Sequence, residues 1–472
     1  LTCGHFRREV IRRRLETAMQ DRLCAALRHL NTPYAEIRLE RRESTRLVYR
    51  GDQLVTLDSS IDYGGCARAL ASGSWGAVTF TGDADLRDRV CDAIGLAHAV
   101  EGDPITLAPI EPITDRVCAH LPIDFRAIPL SDKQTLIAGY NDLLLNFDPR
   151  IESTYVAYSD AFITTWYANT EGAFIYQERP LIDLQLAAVV RDGDNVQRGA
   201  KSLALAGGYE AVLDRSELAR AAAQLALELL SAQVVKAGRY TVVLDPIMAG
   251  LFTHEAFGHL SEADFIAENP DARDMLTLGR QFGPRNLNIY DDGSAPRLRG
   301  SMAYDDEGVP AQKTWLMRDG VLVGRLHSRE TAGMMNETPT GNARATSYRY
   351  APQVRMTNTA IAPADGGSLH DLIKDIDLGV YACDWAGGET LLEDFTFVAK
   401  HGYMIRHGEL AEPLRAMTLT GNVFETLHHI DGIGSDFAWD ESSGDCGKGA
   451  EGLPVCDGGP HLRVRDVLVG GA

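Results

Sequence analysis

The sequence predicts an α+β protein in two parts: an N-terminal mixed α/β domain over residues 1–236, then a β-rich domain over 237–472 built as an antiparallel sheet or barrel. Three observations carry this. The 472 residues exceed what one ordinary core takes. Helical and strand-like periodicities alternate as far as an alanine- and leucine-rich helix over Glu217–Leu230. Beyond Val234–Gly238 the chain turns to short β runs separated by Gly, Asn, Asp and Pro.

Taken in order, a helix near residues 6–30 opens the chain, with Phe6, Val10, Ile11, Leu15 and Met19 interleaved among arginines. Ala35–Glu40 alternates apolar and charged residues, the pattern of a half-buried strand. Arg46–Tyr49 and Ala77–Phe80 read as strands. Leu86–Val100 and Ser131–Phe147 read as helices, the second with Ser131 as its N-cap. Residues 151–191 are β-rich. The second half opens with the strand Tyr240–Leu244, continues through β runs at Gly320–Leu326 and Gln353–Thr359, and ends on a strand-like Leu462–Leu468.

The formal charge of −20 argues against nucleic acid or an anionic membrane surface as partner. No run of about 18 apolar residues is present, so no membrane-spanning helix is expected. The arginine-rich start lacks the apolar stretch of a secretory signal. Eight cysteines lie scattered at 3, 24, 66, 91, 118, 383, 446 and 456 without framework spacing. Reduced thiols and a cytoplasmic location are expected.

The chemistry concentrates after Asp245-Pro246, a helix start in which Asp caps and Pro occupies the first turn. That helix runs into His254-Glu255-Ala256-Phe257-Gly258-His259. Imidazoles ligate zinc, and a carboxylate beside them can take a proton from water. Histidines five apart on a regular α-helix diverge by about 140°. One extra residue in the turn, a π-bulge, reunites them, and Gly258 eases that distortion. Glu262 and Asp264, read as lying in the same helix, are further oxygen donors within reach.

The second half resembles the TldD/PmbA family of metallopeptidases, and its TldD branch in particular. The resemblance rests on the His254–His259 segment, Pro339-Thr340-Gly341-Asn342-Ala343-Arg344-Ala345, Val354–Thr359, Gly402–Ile405, Leu419–Leu427 and Cys446-Gly447-Lys448 with Leu453-Pro454-Val455. In the first half, Gly64–Leu70, Ser74-Trp75-Gly76 and Gln177-Glu178-Arg179-Pro180 match family landmarks. The resemblance implies that His254, His259 and Cys446 bind zinc and that Glu255 is the catalytic base. Cys456 then stands as a bystander at a strand end, and Cys383 as structural. It also implies extended, unfolded peptides as substrates, held by strand addition, and a heterodimer with a metal-free relative or else a homodimer. The alternative is a zinc-binding, non-proteolytic or chaperone-like subunit of such a complex. One segment departs from the family: Tyr381–Phe397 lacks the expected Gly-Gly-x-x-Asp-Pro pattern, which bears on substrate choice.

Other polar features have blander readings. Arg344, Arg349 and Arg355 are either cleft-lining or ordinary sheet-surface arginines. His428-His429 reads as a surface pair, and Asp305-Asp306-Glu307 before Gly308 as a solvated turn.

Overall fold

A computed structural model of the chain describes residues 17–391, 393–442, 444–449 and 451–471. Of the expected opening helix, the part described is helical over 17–26, with Leu23 and Ala26 buried. The residues from 6 to 15 lie outside the described ones. No helix among the described residues is long and apolar enough to cross a membrane.

The first half is built on one seven-stranded sheet. Its spatial order is Ser74–Thr81, Gln53–Ala71, Tyr34–Arg50, Ile151–Asn169, Phe174–Asp192 and Thr114–Val117, with Asn195–Leu205 also paired to Phe174–Asp192. All pairs are antiparallel except the one made by Thr114–Val117. Beside the helix over 17–26, three further helices cover it. Leu86–His98 buries Leu86, Val90 and Ala93 against Ile37 and Leu39, while Leu130–Leu145 and Ser216–Ser231 bury Ile137, Leu144 and Ala222 against Leu184 and Leu186. The second helix starts one residue before the expected cap. Pro129 takes the N-cap position, and the Ser131 hydroxyl turns to Asp132.

The Ala35–Glu40 strand is not half-buried. Ala35, Ile37 and Leu39 enter the core as expected, but Glu36, Arg38 and Glu40 are also buried, at 3–4% exposure. Their cover comes from the second half. Arg38 pairs with Asp306 at 2.7 Å, and Arg68 bridges Glu36 and Glu307. Asp305-Asp306-Glu307 is therefore a buried turn, closed by Gly308 at φ +80°. Asp305 accepts the N–H groups of Glu307, Val309 and Ala343. The first-half landmarks lie along this seam. Gln177 accepts from the N–H groups of Ala303 and Tyr304, Trp75 donates to Glu330, and a Cβ on Gly64 would collide with the Tyr348 ring at 2.3 Å. Removing one partner of a buried ion pair strands the other charge. Asp306→Ala is expected to cost about 3–5 kcal/mol, read by urea denaturation.

The second half centres on a closed barrel. Gly238–Leu244, Leu378–Leu391, Asp394–Arg406, Met417–Asn422 and Leu462–Gly471 form a ring, each strand bonded to the next and the last back to the first. A six-stranded sheet lies beside it, including Ile289–Asp292, Asn358–Ile361 and Cys456–Gly459. The β run expected over 320–326 shrinks to Val321–Leu322, because Gly320 at φ +73° makes a turn. Gln353–Thr359 divides into Gln353–Val354 and Asn358–Ile361. Between barrel and sheet runs the helix Pro246–Thr253. It is capped by Asp245, which accepts the Met248 N–H at 2.7 Å, and buries Met248, Leu251 and Phe252.

Candidate metal centre

The helix changes pitch where the histidines begin. His254–Gly258 forms a π-turn in which the His259 N–H donates to the His254 carbonyl, five residues back. The extra residue brings both rings to one side, their centroids 4.9 Å apart and their planes nearly perpendicular. A Cβ on Gly258 would stand 2.1 Å from the Met356 sulfur. The glycine thus serves close packing at the bulge. Gly258→Ala is expected to destabilise by about 1–3 kcal/mol through overpacking. Combined with Met356→Ala, it should cost less than the two single changes together in chemical denaturation, since the clash is shared.

The helix does not continue to Glu262. A 3-10 turn over His259–Ser261 ends it, and Glu262 is extended at φ −71°, ψ 113°. Glu262 therefore reaches back, its carboxylate 3.4 Å from His259 Nδ1. Lys448 holds Glu262 at 2.9 Å and Asp264 at 2.7 Å.

Cys446 arrives from the hairpin Asp445–Lys448 and Glu451–Pro454. Its Sγ lies 3.5 Å from His259 Nε2, and donor atoms of His254, His259 and Cys446 all fall within 4.8 Å of one another. Among the described residues this is the group of His, Cys, Asp or Glu donors arranged so that it could hold a metal ion. Cys456 sits in the buried strand Cys456–Gly459, not at a strand end entering a turn, and its thiol donates to the Asp440 carbonyl at 3.2 Å. Cys383 is buried in a barrel strand.

Electrostatics bind the three together. Burial raises the Cys446 thiol, but the two imidazoles outweigh it and bring it down to about 5. Burial lowers His259, yet bonds to Cys446 and Glu262 lift it to about 9. His254 is likewise disfavoured by burial and then raised by Asp457 and Cys446. Lys448 takes no part in this, its ammonium being paired with Glu262 and Asp264.

Asp457 is the residue that sequence reasoning missed. Its carboxylate lies 2.8 Å from His254 Nδ1, turning Nε2 toward the other donors. Gly250 makes this possible, since a Cβ there would press to 2.9 Å on the Gly458 backbone. The clue available in sequence is general: a ligating histidine usually rests its second nitrogen on a carboxylate, and Asp457 follows the Cys446 segment closely.

Two of the three arginines fit neither expected reading. Arg344 and Arg355 are buried at 1–2% exposure and donate to backbone carbonyls, Arg344 to Met356 and Pro454, Arg355 to Cys446 itself. Arg349 is exposed and pairs with Asp62. His428 and His429 are exposed, as expected of a surface pair.

A cleft of about 520 Å³ opens over the three donors, walled by Leu251, Glu255, Trp385, Gly388, Thr390 and Asp440. The Thr390 hydroxyl donates to the Glu255 carbonyl at 2.9 Å and lies 3.4 Å from its carboxylate. The wall is thus the Tyr381–Phe397 segment that departs from the family. From Trp385 to Leu391 its strand pairs on one edge with Asp394–Arg406, while the other edge has no strand partner among the described residues.

Comparison with known proteins gives matches along the chain. Residues 35–99, 123–230 and 237–471 match, in turn, domain 1, the central domain and the C-terminal domain of the PmbA/TldA metallopeptidases. A metalloprotease of Synechocystis is 47% identical over 440 residues, covering 93% of this chain and 95% of that one. A zinc metalloprotease TldD homolog of Saccharolobus solfataricus is 30% identical, covering 94% and 97%. In fold, TldE from Thermococcus kodakarensis superposes with a TM-score of 0.77 at 17% identity, covering 96% of this chain and 100% of that one.

Proposed function

Because this chain belongs to the PmbA/TldA metallopeptidase family, we propose that it is a zinc-dependent peptidase acting on extended peptides, with Glu255 as its base and His254, His259 and Cys446 as its zinc ligands. The observation that carries the reading is the convergence of two imidazoles and a low-pKa thiol under one cleft. A tetrahedral zinc with ordinary bond lengths sets sulfur and nitrogen about 3.5 Å apart, and Cys446 Sγ and His259 Nε2 have that spacing. Three ligands also leave a coordination position open. Zinc held there supplies a Lewis acid that lowers the pKa of water and polarises a carbonyl.

The residues of the chain do the rest. The substrate backbone adds to the open edge near Gly387–Thr390, where main-chain bonds hold it with little demand on sequence. Glu255 takes a proton from water and returns one to the leaving amine. Thr390 orients Glu255 for that exchange. Asp457 and Glu262 hold the two imidazoles in register.

The test pairs zinc content with cleavage of an unstructured peptide on one sample. Stoichiometric zinc with turnover is expected. Zinc without turnover favours the alternative, a metal-binding subunit of a larger complex. We further place the protein in the cytoplasm and in a dimer, with a metal-free relative or with itself. Native mass spectrometry of the chain, alone and mixed with such a relative, is expected to give a dimer in one of the two. Monomers in both would count against it.

A further inference from the structure

The metal cleft has a neighbour. A second cavity, of about 430 Å³, is lined by Lys201, Asp214, Arg215, Asp384 and Lys400, and Asp440 and Ser442 belong to the walls of both. At the boundary stands the indole of Trp385. It lines the metal cleft, and the ammonium of Lys400, from the second cavity, lies 5.7 Å from its ring centre.

Three features hold the indole there. Asp384 adopts a left-handed φ of +50°, and the strand register slips between Trp385 and Gly387, a bulge that re-aims the side chain. The indole N–H donates to the Asp440 carboxylate. Gly444 lies so near that a Cβ would come within 2.7 Å of the ring. Asp440 is itself anchored beside the metal centre. Its N–H donates to the Asp457 carbonyl at 2.7 Å, and its second carboxylate oxygen accepts the Ser442 N–H at 2.9 Å.

We propose that Trp385, with Asp440, is a partition that sets how many peptide residues the cleft holds on that side, and that the second cavity is a further peptide subsite it closes off. This rests on the peptide-cleft reading above. A bulge, a donor–acceptor pair and a glycine contact all serve to fix one aromatic ring at the common wall. The lining behind it sets Leu203, Leu218 and Ile247 beside the Lys201–Asp384 pair at 2.7 Å, which suits main chain and side chains with both apolar and polar parts.

The test is binding of labelled peptides of one sequence, lengthened a residue at a time at either end, to the zinc-loaded Glu255→Gln protein, by fluorescence anisotropy. With Trp385 present, affinity is expected to stop rising at a fixed length. Adding Trp385→Ala should move that limit by at least one residue and tighten the longest peptides about tenfold. Trp385→Phe fills the wall without the donor and should give a smaller shift, which keeps the test open should the alanine variant fold poorly. An unchanged limit in both variants overturns the partition while leaving the cleft intact. Failure of every peptide to bind any variant overturns the cleft reading, and the partition with it.

Discussion

Glu255→Ala is expected to keep its zinc and to lose peptide cleavage by about 10²–10⁴-fold, the usual weight of a positioned proton-transfer group. The structure separates the two properties. Glu255 adjoins His254 in the π-turn but stands apart from the His254, His259 and Cys446 donors, lining the cleft beside Thr390 and Gly388. On the proposed roles, losing the carboxylate removes proton transfer without removing a ligand. Metal analysis and single-turnover cleavage of the same preparation decide it. Near-normal turnover would remove Glu255 from the mechanism; loss of zinc would make it a ligand.

The second large effect is at Cys446. With only three protein donors, Cys446→Ala should lower zinc affinity by orders of magnitude and abolish cleavage, since a thiolate balanced by two imidazoles is the anionic member of the set. Cys456→Ala is the control. Its thiol donates to backbone carbonyls and is not one of the grouped donors, so a packing loss of about 1 kcal/mol is expected, with zinc unchanged. Alkylation offers an independent view. Zinc should protect Cys446 and a chelator expose it, with Cys456 indifferent to both. The reverse pattern would transfer the ligand role to Cys456.

Much of this was legible in the chain because it is local. Asp245-Pro246 announces a helix start wherever it lands, and the five-residue histidine spacing demands a bulge if the rings are to meet. What was not legible is what covers what. Glu36, Arg38 and Glu40 alternate with apolar residues as a solvated strand face does, and Asp305-Asp306-Glu307 has the composition of a solvated turn. Each is the other's cover, across more than 260 residues of chain. Alternation registers that a face is polar, and cannot tell water from an oppositely charged surface. Asp457 was hidden for the same reason: it meets His254 only because Gly250 lets a distant strand approach. The Ser131 error is of another kind, a helix cap that falls two residues early, on Pro129.

The two imidazoles follow the barrel's first strand by one short helix, whereas the thiol comes 187 residues beyond His259 and the carboxylate under His254 comes 203 residues after it. The strand Leu462–Gly471 then closes the ring against Gly238–Leu244. During synthesis, a chain that has emerged only as far as residue 440 carries both histidines and Glu255, yet neither Cys446 nor Asp457. Long-range closure is intrinsically slow, because its entropic cost precedes its contacts. On the proposed ligand set, the zinc site is thereby completed only after Cys446 and Asp457 have joined the fold. For a protein whose proposed substrate is extended polypeptide, the nearest such polypeptide at that moment is its own unfinished chain.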